Sequence, residues 1–100
     1  VQTGVDLADP DQAAKALDAT GARFGRLDAL INIAGGFRWQ TLQDGDPAVW
    51  DMLYAMNVKT AANASRAALP WLRRSAAGRI VNVGAMGAIK SAAGMGAYGA

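Results

Sequence analysis

The sequence contains no cysteine, no histidine and no glutamate. Without cysteine there is no disulfide framework, no thiolate nucleophile and no cysteine-based zinc site. Without histidine there is no imidazole ligand or base. These absences remove the Ser-His-Asp and Cys-His hydrolases and most transition-metal sites, and no metal is expected. With only three prolines, 52% hydrophobic and 18% charged residues, a disordered tail, a coiled coil and a multidomain machine are excluded as well. No apolar run reaches the roughly 18 residues of a membrane span, and no basic-then-apolar leader opens the chain, so no membrane partner and a cytoplasmic location are expected. Ten Lys and Arg against eight Asp leave a net charge of +2, and only Arg73 and Arg74 are adjacent. That is a solvated surface rather than a nucleic-acid stripe. An enzyme made from these residues must work with Asp, Lys, Tyr or a bound cofactor.

The residues that are present read as alternating helices and strands. Asp9-Pro10-Asp11-Gln12 is a helix start: Asp9 caps, Pro10 suits the first helical position and Gln12 completes a capping-box spacing. Small or apolar residues at Ala13, Leu17, Gly21 and Phe24 form one stripe, and Gly25 ends the helix. Residues 27–33 are a short, nearly continuous apolar run, expected as a strand covered on both faces. A glycine-bearing loop spans 34–46, and Asp46-Pro47 opens a second helix. Its pattern runs from Trp50 to Leu72, long enough for two stacked segments, with Pro70 bending the last turns. Residues 75–78 are the exit, and 79–83 a second buried strand. If residues 1–5 end an earlier strand, the order is that of an α/β, doubly wound parallel sheet with helices on both faces.

In such sheets ligands bind beyond the carboxyl ends of the strands. Asp6-Leu7, Asn32-Ile33-Ala34-Gly35-Gly36 and Gly84-Ala85-Met86-Gly87 occupy those places, and small residues there let backbone approach a flat or phosphorylated ligand.

Asn32-x-Ala34-Gly35 at a strand end, Asn57 in the next helix, Gly78-Arg79-Ile80-Val81-Asn82-Val83 as the following strand, and Tyr98-Gly99-Ala100 stand in one order and spacing. Together they resemble the short-chain dehydrogenase/reductase family along the whole chain. The resemblance implies that residues 1–100 are an internal part of a single NAD(P)-binding Rossmann-type domain. Val1 and a terminus that reads as a helix being started agree with that expectation. It implies NAD or NADP as cofactor, a small carbonyl or alcohol substrate, and a homo-oligomer formed through the long helix bearing Ala61, Ala62, Ala64, Ala67 and Ala68. Asp6 would bond the adenine amino group, and Leu7 would pack on that ring. Asn32, Ala34 and Gly35 would line the cofactor beside the adenosine ribose and stabilise the sheet. Asn57 would hold a relay water through its helix backbone, and Tyr98 would be the general acid/base.

The chemistry of Tyr98 has its own logic. Hydride addition to a carbonyl builds an alkoxide that needs a proton, and a free phenol, with a pKa of about 10, exchanges one poorly unless a cation stabilises the phenolate. The family supplies a lysine one helical turn later, beyond Ala100, so the 100 residues alone are expected to be inactive. Taken singly, Tyr98 is a packing residue, Asn57 a kink residue, Asp6 a turn residue, and Lys59 and Lys90 surface charges.

One position departs from the family pattern. Ala85 stands 13 residues before Tyr98, where the family usually has a serine that donates to the substrate oxygen. Losing one such donor typically lowers a rate by about 10²–10³. Ser91, six residues on, replaces it only if the loop folds back. Three readings follow: a slow or specialised reductase, a nucleotide-binding family member that has become a binding or regulatory subunit, and a plain α/β ligand-binding module. The aromatic and Arg content of Phe37, Arg38, Trp39 and Gln40 suits an apolar or anionic substrate group.

Overall fold

The computed structural model describes residues 1–100. Helix α1 spans Pro10–Phe24, and its boundaries follow from local chemistry. Asp9 Oδ1 accepts from the N–H groups of Asp11 (2.8 Å) and Gln12 (3.3 Å), and Gly25 leaves the helix at φ 74°. Gln12 departs from a simple capping box. Its Oε1 accepts from the Asp6 N–H at 3.0 Å while its Nε2 donates to Asp9 Oδ2 at 3.1 Å, so it braces the loop before the cap. Of the expected stripe, Ala13 and Gly21 are buried and Leu17 half-buried, but Phe24 is exposed. The last turn ends in water, where the Arg23 guanidinium stands over the Phe24 ring.

Strands β1 (Ala29–Asn32) and β2 (Arg79–Asn82) pair in parallel, Ala29 opposite Arg79 and Asn32 opposite Asn82. Both are shorter than the apolar runs that announced them. The ladder continues one bond at each end, Arg79 N–H to Asp28 C=O (2.9 Å) and Val83 N–H to Asn32 C=O (3.0 Å). The connection is a long helical crossover: α2 (Ala48–Tyr54), a π-helical turn (Ala55–Lys59) and α3 (Thr60–Leu72). Asp46 caps its start by accepting the Ala48 N–H at 2.9 Å. At the π turn the Thr60 N–H reaches back five residues to the Ala55 carbonyl, and Thr60 Oγ1 donates to the Met56 carbonyl at 2.8 Å. Helix α3 continues two residues past Pro70, which sits near enough to its end to cost one helical bond. A 3₁₀ turn (Met86–Ala88) and the short α4 (Gly96–Gly99) complete the chain.

Helix α3 lies between α1 and the sheet, and the core is there: Ala13, Ala64, Ala68 and Leu72 are all buried. Gly21 lets the Trp71 ring seat against α1, where a Cβ would collide with it. Trp71 Nε1 donates to Asp18 Oδ1 at 2.9 Å, and Arg74 stacks over the indole at 4.2 Å.

Two expectations are corrected. Residues 1–5 are not strand: Gly4 turns at φ 71°, and the Gln2 side-chain amide donates to the Ala16 carbonyl and Thr20 Oγ1, tying the segment to α1. Nor are the strands covered on both faces. Helices pack on one side only, and Ile31, Val81 and Val83 remain exposed on strand segments whose apolar character suits burial. No helix is long and apolar enough to cross a membrane.

Candidate active site

The two strands end side by side at asparagines. Asn32 Nδ2 donates to Asn82 Oδ1 at 2.8 Å and approaches Ser65 Oγ of α3 at 3.1 Å, so its amide ties both strands to the crossover helix. Side chains alternate across a strand, and the next residue, Ile33, faces away from that tie. Beyond it, Ala34 and Gly35 on one side and Gly84 and Ala85 on the other line a cleft of about 470 Å³. Asn32 itself does not line this cleft.

The loop leaving β1 is held by the π turn. Asn57 Oδ1 accepts the Gly36 N–H at 2.8 Å, and Asn57 Nδ2 donates to the Gly36 carbonyl at 3.0 Å. The approach is close: a Cβ on Gly35 would stand 2.6 Å from Asn57 Oδ1. The close approach needs glycine for space here, and the widened turn places the amide opposite it. π turns inside helices occur frequently at functional sites for this kind of re-aiming.

Tyr98, on α4, closes the cleft from the far side. Its ring meets Phe37 edge-on, centroids 4.9 Å apart and planes at 83°. The ring also packs on Gly87, where a Cβ would lie 2.9 Å from it. Among residues lining the cleft, Tyr98 carries the only side-chain hydroxyl. Ala85 is extended and exposed at the cleft wall. Ser91 does not replace the missing serine: it is outside the lining, and its hydroxyl donates to the Gly87 carbonyl at 2.6 Å.

Leu7 lines a second, smaller cavity, and Asp6 precedes it in the chain without lining either cavity. Asp6 Oδ1 accepts the Ala8 N–H at 2.9 Å, a local turn. Leu7 lines a cavity of about 110 Å³ with Leu17, Leu30 and Asn32. Ile33 and Ala34 line both cavities, so the two meet at the end of β1. Asn63, not singled out from the sequence, holds this second region by donating to the carbonyls of Leu7 and Ala8, each at 3.0 Å. A signal existed. Asparagine is a poor helix former, and Asn57 and Asn63 in one long helix each mark a side chain engaged elsewhere. Of the loop Phe37, Arg38, Trp39 and Gln40, Phe37 lines the main cleft against Tyr98, and Trp39 contacts residues 93–94. Lys59 and Lys90 line neither cavity.

A protein-family model described as short chain dehydrogenase matches residues 1–100. The chain is similar to a short chain dehydrogenase of Monascus purpureus, 36% identical over 95 residues, which are 94% of this chain and 32% of that protein. It is also similar to a cyclopentanol dehydrogenase of Comamonas testosteroni, 32% identical over 94 residues, 94% of this chain and 38% of that protein. The crystal structure of a short chain dehydrogenase from Burkholderia cenocepacia in complex with NADP superposes with a TM-score of 0.86 at 38% identity, over 95% of this chain and 38% of that one. A short chain dehydrogenase from Mycobacterium avium gives 0.88 at 30% identity, over 99% and 37%. The chain thus spans about a third of the length of the curated relatives it matches.

Proposed function

The chain belongs to the short-chain dehydrogenase family and carries part of its Rossmann-type fold, and from that premise we propose that the protein containing it is an oxidoreductase joining a nicotinamide dinucleotide, NAD or NADP, to a small carbonyl or alcohol compound. On this reading residues 1–100 are part of one NAD(P)-binding domain. The observation that carries it is the position of the Tyr98 phenol on the same cleft as the open strand ends at Ala34–Gly35 and Gly84–Ala85.

The residues present suit such a cofactor. A Cβ on Gly84 would meet nothing within 4 Å, so the strand end has room for a flat ring. The shared wall at Ile33 and Ala34 suits an elongated molecule reaching toward Leu7. Leu7 would pack against its adenine, with Asp6 beside it. Ala34 and Gly35 would border its middle, and Asn32, which lines the smaller cavity, would stand beside it while bracing the sheet.

When bound, the dinucleotide supplies or accepts the hydride. Tyr98 gives its phenolic proton to the substrate oxygen as negative charge develops there, and takes a proton back in the oxidative direction. The amide of Asn57 is occupied by Gly36, which leaves its backbone for the relay water. With Ala85 in the cleft wall and the Ser91 hydroxyl committed to Gly87, Tyr98 is the one side chain of the cleft able to donate an O–H bond to that oxygen.

The test is titration of the full-length protein with both reduced dinucleotides, followed by their oxidation over a panel of carbonyl compounds. Binding with turnover that falls about 10²-fold or more in Tyr98→Phe is expected. Binding without turnover would identify a binding or regulatory subunit, and absence of binding would overturn the reading.

A homo-oligomer through the crossover helix is part of the proposal. Ala64 and Ala68 are spent on the internal core, but Met52, Met56, Ala62 and Leu69 are exposed along the same helix. Sedimentation of the full-length protein as a monomer at high concentration would dispose of it. The cytoplasmic location expected from the sequence is checked by fractionating cells that produce the tagged protein.

A further inference from the structure

The loop between Gly36 and Gln40 is anchored at both ends. At its start the Asn57 amide holds both backbone groups of Gly36. At its end, Trp39 Nε1 donates to the Ala93 carbonyl at 3.2 Å and the Gln40 N–H donates to the Gly94 carbonyl at 3.0 Å. The Trp39 indole lies directly on Gly94, a residue at φ 78° whose missing Cβ leaves the ring its place. Gly94 stands two residues before α4, the helix that carries Tyr98. Between these two anchors Phe37 projects onto the Tyr98 ring, edge-on at 4.9 Å. Tyr98 also rests on Gly87, itself buried. The phenol ring is therefore in contact with a perpendicular aromatic ring and with bare backbone.

We infer that Phe37 is a positioning residue for Tyr98, and that the Trp39–Gly94 contact is the latch that keeps Phe37 in place. The inference rests on the general acid/base reading of Tyr98. Phe37 acts through the orientation of the phenol, which must align with the substrate oxygen, and contributes no proton itself. A half-exposed Phe in a surface loop would otherwise be free to swing. The two anchors remove that freedom.

The experiment uses the full-length protein and the variants Phe37→Leu, Phe37→Tyr, Trp39→Phe and Tyr98→Phe. Phe37→Leu is expected to lower kcat about three- to tenfold, the worth of one aromatic pair, with KM and the dissociation constant for the reduced dinucleotide unchanged. Phe37→Tyr restores kcat, because the ring edge returns. Trp39→Phe keeps a ring over Gly94 but loses the N–H donor, and lowers kcat by a smaller factor. A readout independent of turnover is the proton NMR spectrum of the Tyr98 ring, assigned by its absence in Tyr98→Phe. Phe37→Leu should remove the ring-current shift there, and Phe37→Tyr should keep it. If Phe37→Leu changes KM alone, Phe37 is a wall for substrate and the positioning role is overturned. If the dinucleotide binds and Tyr98→Phe loses turnover while Phe37→Leu turns over like the parent, the positioning role falls and the acid/base reading stands. If no dinucleotide binds, or Tyr98→Phe retains full turnover, both fall together.

Discussion

Asn57 and Gly36 satisfy each other: the amide oxygen takes the glycine N–H at 2.8 Å and the amide nitrogen donates to its carbonyl at 3.0 Å. This pairing fixes the loop after β1 to the middle of the crossover helix, and the wall of the cleft follows from it. Asn57→Ala removes both bonds. At about 0.5–1.5 kcal/mol each, a loss of about 1–3 kcal/mol is expected in denaturant unfolding of the full-length protein. Asn57→Asp keeps the acceptor and sets a carboxylate against the Gly36 carbonyl, so its defect should shrink as the acid is protonated.

Gly94→Ala meets two obstacles, a left-handed backbone and the Trp39 indole. The backbone alone costs about 1–2 kcal/mol, and the displaced ring adds to it. The double variant Trp39→Ala/Gly94→Ala should be less destabilised than the sum of the singles, since only the steric part is shared. A double-mutant cycle on thermal melts checks this, and strict additivity would mean that the ring does not rest on Gly94.

Asp28 organises the start of the sheet. Hydrogen bonding from the Arg26 guanidinium, and then from Ser75 Oγ, holds its carboxyl below the ordinary carboxylate range. A carboxyl lowered in the folded state adds stability that is complete above its unfolded value, about 4, and is lost as pH falls through the lower folded value. Unfolding curves between about pH 2 and 6 should therefore show a stability loss on acidification that is reduced in Asp28→Asn. Equal pH dependence in both proteins would refute the assignment.

Ala85→Ser restores a hydroxyl to the cleft wall, where the extended backbone of Ala85 leaves it exposed. In the full-length enzyme kcat should rise by about 10²-fold, the usual worth of one donor to a developing oxyanion. A measurable turnover left unchanged by this substitution would show that the substrate oxygen is not polarised from position 85.

Much of this was readable from residue order, and the unreadable parts share a cause. Helix α1 announced both ends because Asp9, Pro10 and Gly25 act on their immediate neighbours. The strands showed as apolar runs, but the same runs promised a second covering layer, which is a property of neighbours and not of the run. The grouping of Ala34, Gly35 and Ala85 around one cleft followed the strand-end rule, while Tyr98, on a helix, was pointed to only by the family resemblance. Asn32 and Asp6 separated from it because short polar side chains took the nearest partners, Asn82 and Ala8. Phe37 and Trp39 were visible only as aromatics in a loop, since their partners lie more than fifty residues away. The π turn was marked only by Asn57, a poor helix former in mid-helix, because the partner that this amide answers to is Gly36 in a distant loop.

The extra residue of the π turn is absorbed within the turn and is not passed along the helix. Deleting one position from Ala55–Lys59 would return the turn to α-helical pitch and leave the two halves of the crossover facing as before, with Leu53 still in the core. What would go is the placement of the Asn57 amide opposite Gly36. Shortening the crossover by one residue here should therefore cost the loop after β1 its tie while the helix itself survives.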